Sequence, residues 1–88
     1  MELRYKGQFN RDINIDNSNV LAAVKAAIIN VKKAQHISAI NNLKKLKKYT
    51  AHYRIKIADN YRIGIIIRRN IVWFVRFGNR SNFYKYFP

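Results

Sequence analysis

Apolar and charged residues alternate through the second half of the chain, and this period of two is typical of β-strands that bury one face. The alternation predicts strands at about 52–58, 61–67 and 71–77, separated by short turn sequences that contain Asp59 and Asn70. One predicted face is apolar and consists of Tyr53, Ile55, Ile57, Tyr61, Ile63, Ile65, Ile67, Ile71, Trp73, Val75 and Phe77. The other face carries Arg54, Lys56, Arg62, Gly64, Val72, Phe74 and Arg76. We therefore expect a sheet that packs one side against helices and leaves a cationic side open.

The first half of the chain predicts one strand and two helices. Glu2–Lys6 alternates like a short strand, and Gln8–Ile15 fits a short helix. Residues 16–18 offer the side chains that cap helix N-termini, which predicts a longer helix over Asn19–Gln35. Its apolar residues recur at helical spacing and would lie on the sheet: Val20, Leu21, Val24, Ala27, Ile28 and Val31.

The segment between this helix and the three strands is a connector followed by a short element. His36–Asn42 reads as the connector, and Leu43–Tyr49 fits either a helical turn or another strand. The whole pattern predicts an α+β, two-layer fold: strand, helix, helix, then an antiparallel sheet with the helical pair on one face. No repeat or linker interrupts the sequence, so we expect residues 1–88 to form a single domain.

The cross-strand register depends on the length of the two turns. If both turns hold three residues, two rows form on the open face: Lys56, Arg62 and Arg76, then Arg54, Gly64 and Phe74. A row of three cations is unfavourable without a bound anion. Gly64 would leave a dent between Arg54 and Phe74 in which a flat base could sit. A turn of two residues after the 61–67 strand would instead take Arg76 out of its row.

The charge of the chain limits its partners. Eighteen Lys and Arg against four Asp and Glu give a net charge of +14, which attracts nucleic acid, an anionic membrane or an acidic protein. With 49% hydrophobic residues, the chain can nevertheless form a core. No apolar run is long enough to span a bilayer and the start does not resemble a signal peptide, so we expect a cytoplasmic protein without membrane contact.

The residue types leave few routes to catalysis. The chain has no cysteine, and its two histidines, His36 and His52, lie on different predicted elements, so we expect neither a metal nor a cofactor. Cleavage of RNA needs no metal, because the 2′-hydroxyl is an internal nucleophile that requires a base, cations and an acid. A lysine crowded by cations can act as that base, and Lys56 beside Arg62 has this setting. The same residues also fit a solvated basic face, or a surface that binds nucleic acid without cleaving it.

Several short motifs resemble the RelE/ParE superfamily of toxins from toxin–antitoxin systems. They are Asn42–Lys47, Arg54–Lys56, Tyr61–Ile63, Val75–Arg80, Phe83-Tyr84 and the closing Tyr84–Pro88. The resemblance covers residues 42–88 and extends before them only through the order strand, helix, helix. It implies a fold in which the first strand lies beside the last. It also implies one of two activities, since RelE-type members cleave mRNA at the ribosomal A site and ParE-type members inhibit DNA gyrase.

The resemblance also implies roles for individual residues. Lys56 matches the position of a general base or phosphate-stabilising lysine, and Arg62 that of a phosphate-binding arginine. Arg80 matches an arginine after the last strand, and Tyr84 a tyrosine that stacks on a base or joins in proton transfer. These four are the expected catalytic residues. Further RNA contacts are expected from Arg54, Phe74, Arg76, Asn79 and Lys47.

One position departs from the family pattern. Many relatives with this C-terminal segment carry a histidine immediately before the Arg80 position, where it can act as a general acid, but here the residue is Asn79. An amide can hydrogen-bond a leaving oxygen and cannot give it a proton. Either other groups suffice or the activity is attenuated, and a deliberately weakened variant fits equally well.

These observations lead to one expected function and two alternatives. We expect a RelE-like toxin: a metal-independent, ribosome-dependent endoribonuclease that cleaves mRNA, inhibits translation and is neutralised by an acidic cognate antitoxin. A ParE-type DNA gyrase inhibitor is the first alternative, and a non-catalytic nucleic-acid-binding module is the second. The cluster of cations with Tyr84 favours the nuclease, because a gyrase inhibitor needs no such cluster.

Overall fold

The computed structural model, which describes residues 1–88, contains five strands and three α-helices. In chain order they are β1 (Glu2–Tyr5), α1 (Gly7–Asp12), α2 (Ser18–Lys33), β2 (Leu43–Lys45), β3 (His52–Ile57), β4 (Tyr61–Arg68), β5 (Ile71–Asn79) and α3 (Arg80–Tyr86), with one 3-10 turn at Ile37–Ala39. The strands form one sheet in the order β1–β5–β4–β3–β2, parallel between β1 and β5 and antiparallel elsewhere. The predicted α+β fold is confirmed, and so is the position of the first strand beside the last. The segment that begins at Leu43, for which the sequence allowed a helical turn or a strand, forms a strand.

Helix α2 begins where the capping residues predict. The Asn17 side chain accepts a hydrogen bond from the backbone N–H of Val20 at 3.1 Å, which satisfies one donor that the first helical turn leaves free. The helix ends at Lys33, two residues before the predicted end, with Lys32 and Lys33 in its last turn beside the negative end of the helix dipole.

The core lies between the sheet and the pair α1 and α2, as predicted. Phe9 of α1 is fully buried against Phe74 of β5, with ring centroids 5.3 Å apart. The central strand β4 contributes Ile63 and Ile65, both fully buried, and α2 contributes Val20, Val24 and Val31. Each large apolar side chain buried in this way stabilises the fold by about 1.5–3 kcal/mol. The core therefore depends on the apolar periodicity that the sequence shows.

The β4–β5 hairpin differs from the predicted register. Its turn holds only Arg69 and Asn70, both with positive φ (52° and 65°), and Arg68 pairs with Ile71. A bulge then shifts the pairing at Gly64/Ile65, because Ile65 pairs with Phe74 whereas Gly64 pairs with Arg76. The predicted rows are therefore wrong in β5. The row of Lys56 and Arg62 ends at Gly78, and Arg76 lies in the row of Arg54 and Gly64.

The bulge also changes which residues of β5 face the helices. Val72 and Phe74 are fully buried in the core, whereas Ile71 and Trp73 are only partly buried. Beyond the bulge the alternation changes phase, so Phe77 joins the core as predicted. Placing Phe74 on the open face was therefore wrong, since one extra residue reverses the side on which the preceding side chains lie.

Helix α3 covers part of the sheet face that was expected to be open. Its Phe83 is fully buried and the following Phe87 is 2% exposed. A Cβ atom added to Gly64 would lie 2.7 Å from the Phe87 ring, so the dent at Gly64 is filled by the chain's own side chain. The expectation that a nucleic-acid base could occupy this dent is therefore wrong for this conformation.

Candidate functional site

A cationic cleft lies where β2, β3 and α3 meet. It has a volume of about 220 Å³ and is lined by Lys44, Lys45, Leu46, Lys47, Arg54 and Tyr84. We call it the lysine cleft. Four of its six lining side chains are cations and none is a carboxylate, so its electrostatic potential favours an anion. The exposed Tyr84 ring adds an aromatic face beside the cations.

Strand pairing builds the floor of the lysine cleft. Lys44 of β2 lies directly opposite Arg54 of β3, an unfavourable placement of like charges unless an anion lies between them. The Leu46 N–H donates to the His52 carbonyl at 2.9 Å and extends the pairing past the end of β2. The Arg54 guanidinium donates to the Asn42 carbonyl at 3.0 Å, which holds its stem along the strand. The cations are thus brought together by backbone geometry.

Helix α3 brings Tyr84 to the cleft. Asn79 caps the helix, because its Oδ1 atom accepts hydrogen bonds from both the backbone N–H and the hydroxyl of Ser81 at 2.9 Å. The Tyr84 side chain is 52% exposed and its ring meets Phe83 edge-on, with centroids 5.0 Å apart. Arg80, the first helical residue, is exposed. Asn79 therefore holds a structural position at the start of the helix.

Lys56 and Arg62 form a second cationic group beside the cleft. They are cross-strand partners on β3 and β4, as predicted. Lys56 is exposed and does not line the lysine cleft; it borders a separate depression of about 230 Å³ between α2 and β3. Arg62 is only 7% exposed, so its expected place on an open surface is wrong.

The buried Arg62 guanidinium is incompletely satisfied. Its Nη1 group donates to the carbonyls of Tyr61 at 2.9 Å and Asp59 at 3.3 Å. Its Nε is buried and has no hydrogen-bond partner in the chain. An unpaired buried donor of this kind costs roughly 1–3 kcal/mol of stability.

Two of the predicted RNA-binding residues have structural contacts instead. Arg76 forms an ion pair with Asp12 at 2.8 Å, and its guanidinium lies 4.7 Å from the centre of the Tyr86 ring. Phe74 is fully buried between β5 and α1 and cannot reach a ligand. Burial alone would raise the pKa of Asp12, but hydrogen bonds from Phe77, Gln8 and Arg76, with the charge of Arg76, bring it below 3.8.

The structure therefore brings only some of the nine predicted site residues together. Lys47, Arg54 and Tyr84 meet in the lysine cleft, and Lys56 with Arg62 forms the neighbouring group. Lys44 and Lys45 were not predicted as site residues, although they lie inside the Asn42–Lys47 motif. Reading Leu43–Lys47 as a strand beside Arg54 would have placed them at the site, because pairing sets Lys44 opposite Arg54.

The structure brings no three His, Cys, Asp or Glu side chains together in a way that could hold a metal ion. None of the helices combines the length and the apolar composition needed to cross a membrane.

The fold matches that of RelE-like toxins. No protein-family model matches the sequence. Toxin RelE3 from Methanocaldococcus jannaschii is 30% identical over 92 aligned residues, which cover the whole of both chains. Because this relationship extends over the full length, the chain belongs to the RelE family of toxins.

Solved structures agree with this assignment. A chain of the RelB–RelE antitoxin–toxin complex from Methanococcus jannaschii superposes with a TM-score of 0.79 at 27% identity, over 96% of this chain and 98% of that one. YafQ from E. coli superposes with a TM-score of 0.67 at 15% identity, over 94% of this chain and 97% of its own, and at this identity it supports the fold alone.

Proposed function

We propose that this chain is the toxin of a toxin–antitoxin pair and that it cleaves mRNA on the ribosome, which inhibits translation. The observation that carries the proposal is the lysine cleft, which combines four cations with one exposed aromatic ring. Cations neutralise phosphates and aromatic rings stack on bases, so the cleft suits single-stranded RNA. Lys56, which is exposed beside Arg62, offers a second place for a phosphate.

The proposed reaction uses the RNA's own hydroxyl. Lys56 takes the proton from the 2′-hydroxyl; the 2′-oxygen bonds to phosphorus, and the bond from phosphorus to the 5′-oxygen breaks. Arg62 and Arg80 stabilise the charge that builds on the phosphate. Tyr84 holds the neighbouring base by stacking. The leaving 5′-oxygen then takes a proton from water.

Asn79 limits this chemistry. Its Oδ1 atom is occupied in capping α3, and an amide gives up no proton near neutral pH. We therefore propose that cleavage is slower than it would be with an imidazole at this position. Asn79→His should raise the rate, because a histidine can act as the general acid.

The proposed partner is an acidic antitoxin. The net charge of +14 and the carboxylate-free lysine cleft favour a negatively charged protein segment. The similar structures include complexes with antitoxins, RelB–RelE and DinJ–YafQ, which supports the same kind of partner here. We propose that the antitoxin covers the lysine cleft or displaces α3, and that the complex unfolds at a higher temperature than the free toxin.

The test is cleavage of ribosome-bound mRNA, mapped by primer extension. Lys56→Met should lower the rate by about 100-fold or more, the loss expected for a general base. Tyr84→Ala should lower it about tenfold, whereas Tyr84→Phe, which keeps the ring, should stay near the parent. Lys25→Met removes an exposed charge from α2 and serves as the matched control, with parental activity expected.

Each alternative function has its own outcome. If the parent and Asn79→His both leave mRNA intact while DNA gyrase is inhibited, the nuclease proposal is wrong and a gyrase inhibitor replaces it. If RNA is bound and neither activity is seen, the chain is a binding module. Circular dichroism of each variant separates loss of activity from loss of fold.

A further inference from the structure

The Phe87 ring packs directly on the backbone of Gly64, and no residue with a side chain would leave room for it. We call this position of the ring the Phe87 seat. An added Cβ at Gly64 would lie 2.7 Å from two Phe87 ring carbons and 2.8 Å from a third, closer than real Cβ contacts come. The ring is 2% exposed and has aromatic neighbours in Phe83 at 5.4 Å and His52 at 5.6 Å. Burial, and then the nearby charge of Arg68, keeps the pKa of His52 below 6.5. The Phe87 ring is therefore held among aromatic side chains.

This seat is connected directly to Tyr84. Helix α3 has seven residues, too few to be stable without packing against the sheet. Phe83 and Phe87 are four residues apart and both point at the sheet, and the Phe87 N–H donates to the Phe83 carbonyl at 3.1 Å. Tyr84 follows Phe83 and points instead toward the lysine cleft. The direction of Tyr84 thus depends on how firmly both phenylalanines are held.

We propose that Phe87, seated on Gly64, is a positioning residue that holds Tyr84 against the lysine cleft. The inference rests on the proposed function, since it assigns Tyr84 the task of stacking on an RNA base. It explains why Phe87 is buried although the next residue, Pro88, is exposed. It also explains why β4 carries a glycine in the middle of a strand, where glycine is unfavourable.

The experiment measures binding of a fluorescent single-stranded RNA oligonucleotide and, separately, amide hydrogen exchange in α3. Gly64→Ala should expel Phe87, speed exchange in α3 and weaken RNA binding about tenfold, the loss expected for one stacked base. Phe87→Ala should do the same. In a Tyr84→Ala background neither change should weaken binding further, because both act through Tyr84.

A matched glycine provides the control. Gly78 of β5 lies on the same face of the sheet as Gly64 of β4. A Cβ atom added to Gly78 would lie 3.9 Å from the nearest atom, which is an ordinary contact. Gly78→Ala should therefore leave RNA binding and exchange unchanged. Adding Phe87→Leu to Gly64→Ala supplies a smaller side chain for the narrowed seat, and should recover part of the protection of α3 and part of the RNA affinity.

The outcomes separate this inference from the proposed function. If Gly64→Ala speeds exchange in α3 and RNA affinity is unchanged, or if the losses add to that of Tyr84→Ala, Phe87 does not position Tyr84 and the inference is wrong. If the parent leaves ribosome-bound mRNA uncleaved, the proposed function fails. Exchange in α3, with nuclear Overhauser contacts between Tyr84 and the other residues that line the lysine cleft, then decides: loss of those contacts in Gly64→Ala supports the positioning, and their persistence overturns it.

Discussion

Asp12 links α1 to the C-terminal half of β5 through hydrogen bonds to its carboxylate. Its Oδ2 atom accepts hydrogen bonds from Arg76 Nε at 2.8 Å and from the Phe77 N–H at 3.0 Å, and its Oδ1 atom accepts one from Gln8 at 2.8 Å. The Phe77 N–H lies just past the bulge, where β1 no longer pairs with β5. Asp12 thus satisfies a backbone donor that the sheet leaves free.

Asp12→Asn should destabilise the fold by about 1.5–3 kcal/mol, the range for hydrogen bonds to a charged group. The folded pKa lies below the unfolded value of 3.8, so the carboxylate stabilises the protein above that pH. This stabilisation is lost as the pH falls through the folded pKa. Urea unfolding from pH 7 to pH 2.5 should therefore show the difference between parent and variant shrinking at the acid end.

The exposed carboxylate Asp16 gives the matched control for this prediction. Asp16→Asn makes the same chemical change without removing a hydrogen bond of the fold, so its stability should stay within about 0.5 kcal/mol of the parent. Equal effects of the two substitutions at pH 7 would show that Asp12 contributes only through net charge.

At the scale of elements, the sequence predicts which segments are strands better than how they pair. The alternation of apolar and polar residues predicts β3 and β4, and it predicts β5 because period two holds on each side of the bulge. Register depends on two local features that the pattern does not show. Arg69 and Asn70 form a two-residue turn with positive φ although neither is glycine, and Val75 is an extra residue in β5. Together they bury Phe74 and move Arg76 out of the predicted row.

The sequence contains two features from which helix α3 could be predicted. Asn79 is a good N-cap, and Phe83 and Phe87 have the spacing of one helical face. The helix is hard to predict because it has only seven residues, and a single pair of apolar residues does not establish a helical periodicity. The lysine cleft was predictable only in part, since Tyr84 and Arg54 come from motifs while Lys44 reaches them only through strand pairing.

The β4–β5 turn offers a prediction at this scale. Positive φ at both Arg69 and Asn70 is strained for non-glycine residues, although asparagine tolerates it better than most. Replacing the pair by Asn-Gly, the preferred sequence for this kind of turn, should stabilise the protein by about 0.5–1 kcal/mol. Thermal unfolding measures the gain.

The control places a glycine where no strain exists. Arg68 pairs with Ile71 as the last residue of β4 and is not among the residues with positive φ. Arg68→Gly also removes one charge, but it should destabilise the strand end. If it stabilises as much as the Asn-Gly turn does, relief of charge repulsion and not of backbone strain explains the effect.

At the scale of the whole molecule, charge is the dominant feature. Only two ion pairs form, Arg4 with Glu2 and Arg76 with Asp12, so most of the eighteen Lys and Arg side chains have no carboxylate within 4 Å. The apolar core must hold the chain together against this repulsion. An anionic partner, whether RNA or an acidic protein, relieves the repulsion when it binds, so binding and stability are linked through the same field.

The salt dependence of RNA binding tests whether the lysine cleft is the part of this field that matters. If its four cations each contact one phosphate of single-stranded RNA, the plot of log affinity against log salt should have a slope of about −3. Lys44→Gln and Lys47→Gln should each make the slope shallower by about 0.7. Lys25→Gln lowers the net charge equally from the far helix α2 and should leave the slope unchanged. Equal changes in all three variants would mean that RNA responds to the total charge of the molecule and that the cleft is not its binding site.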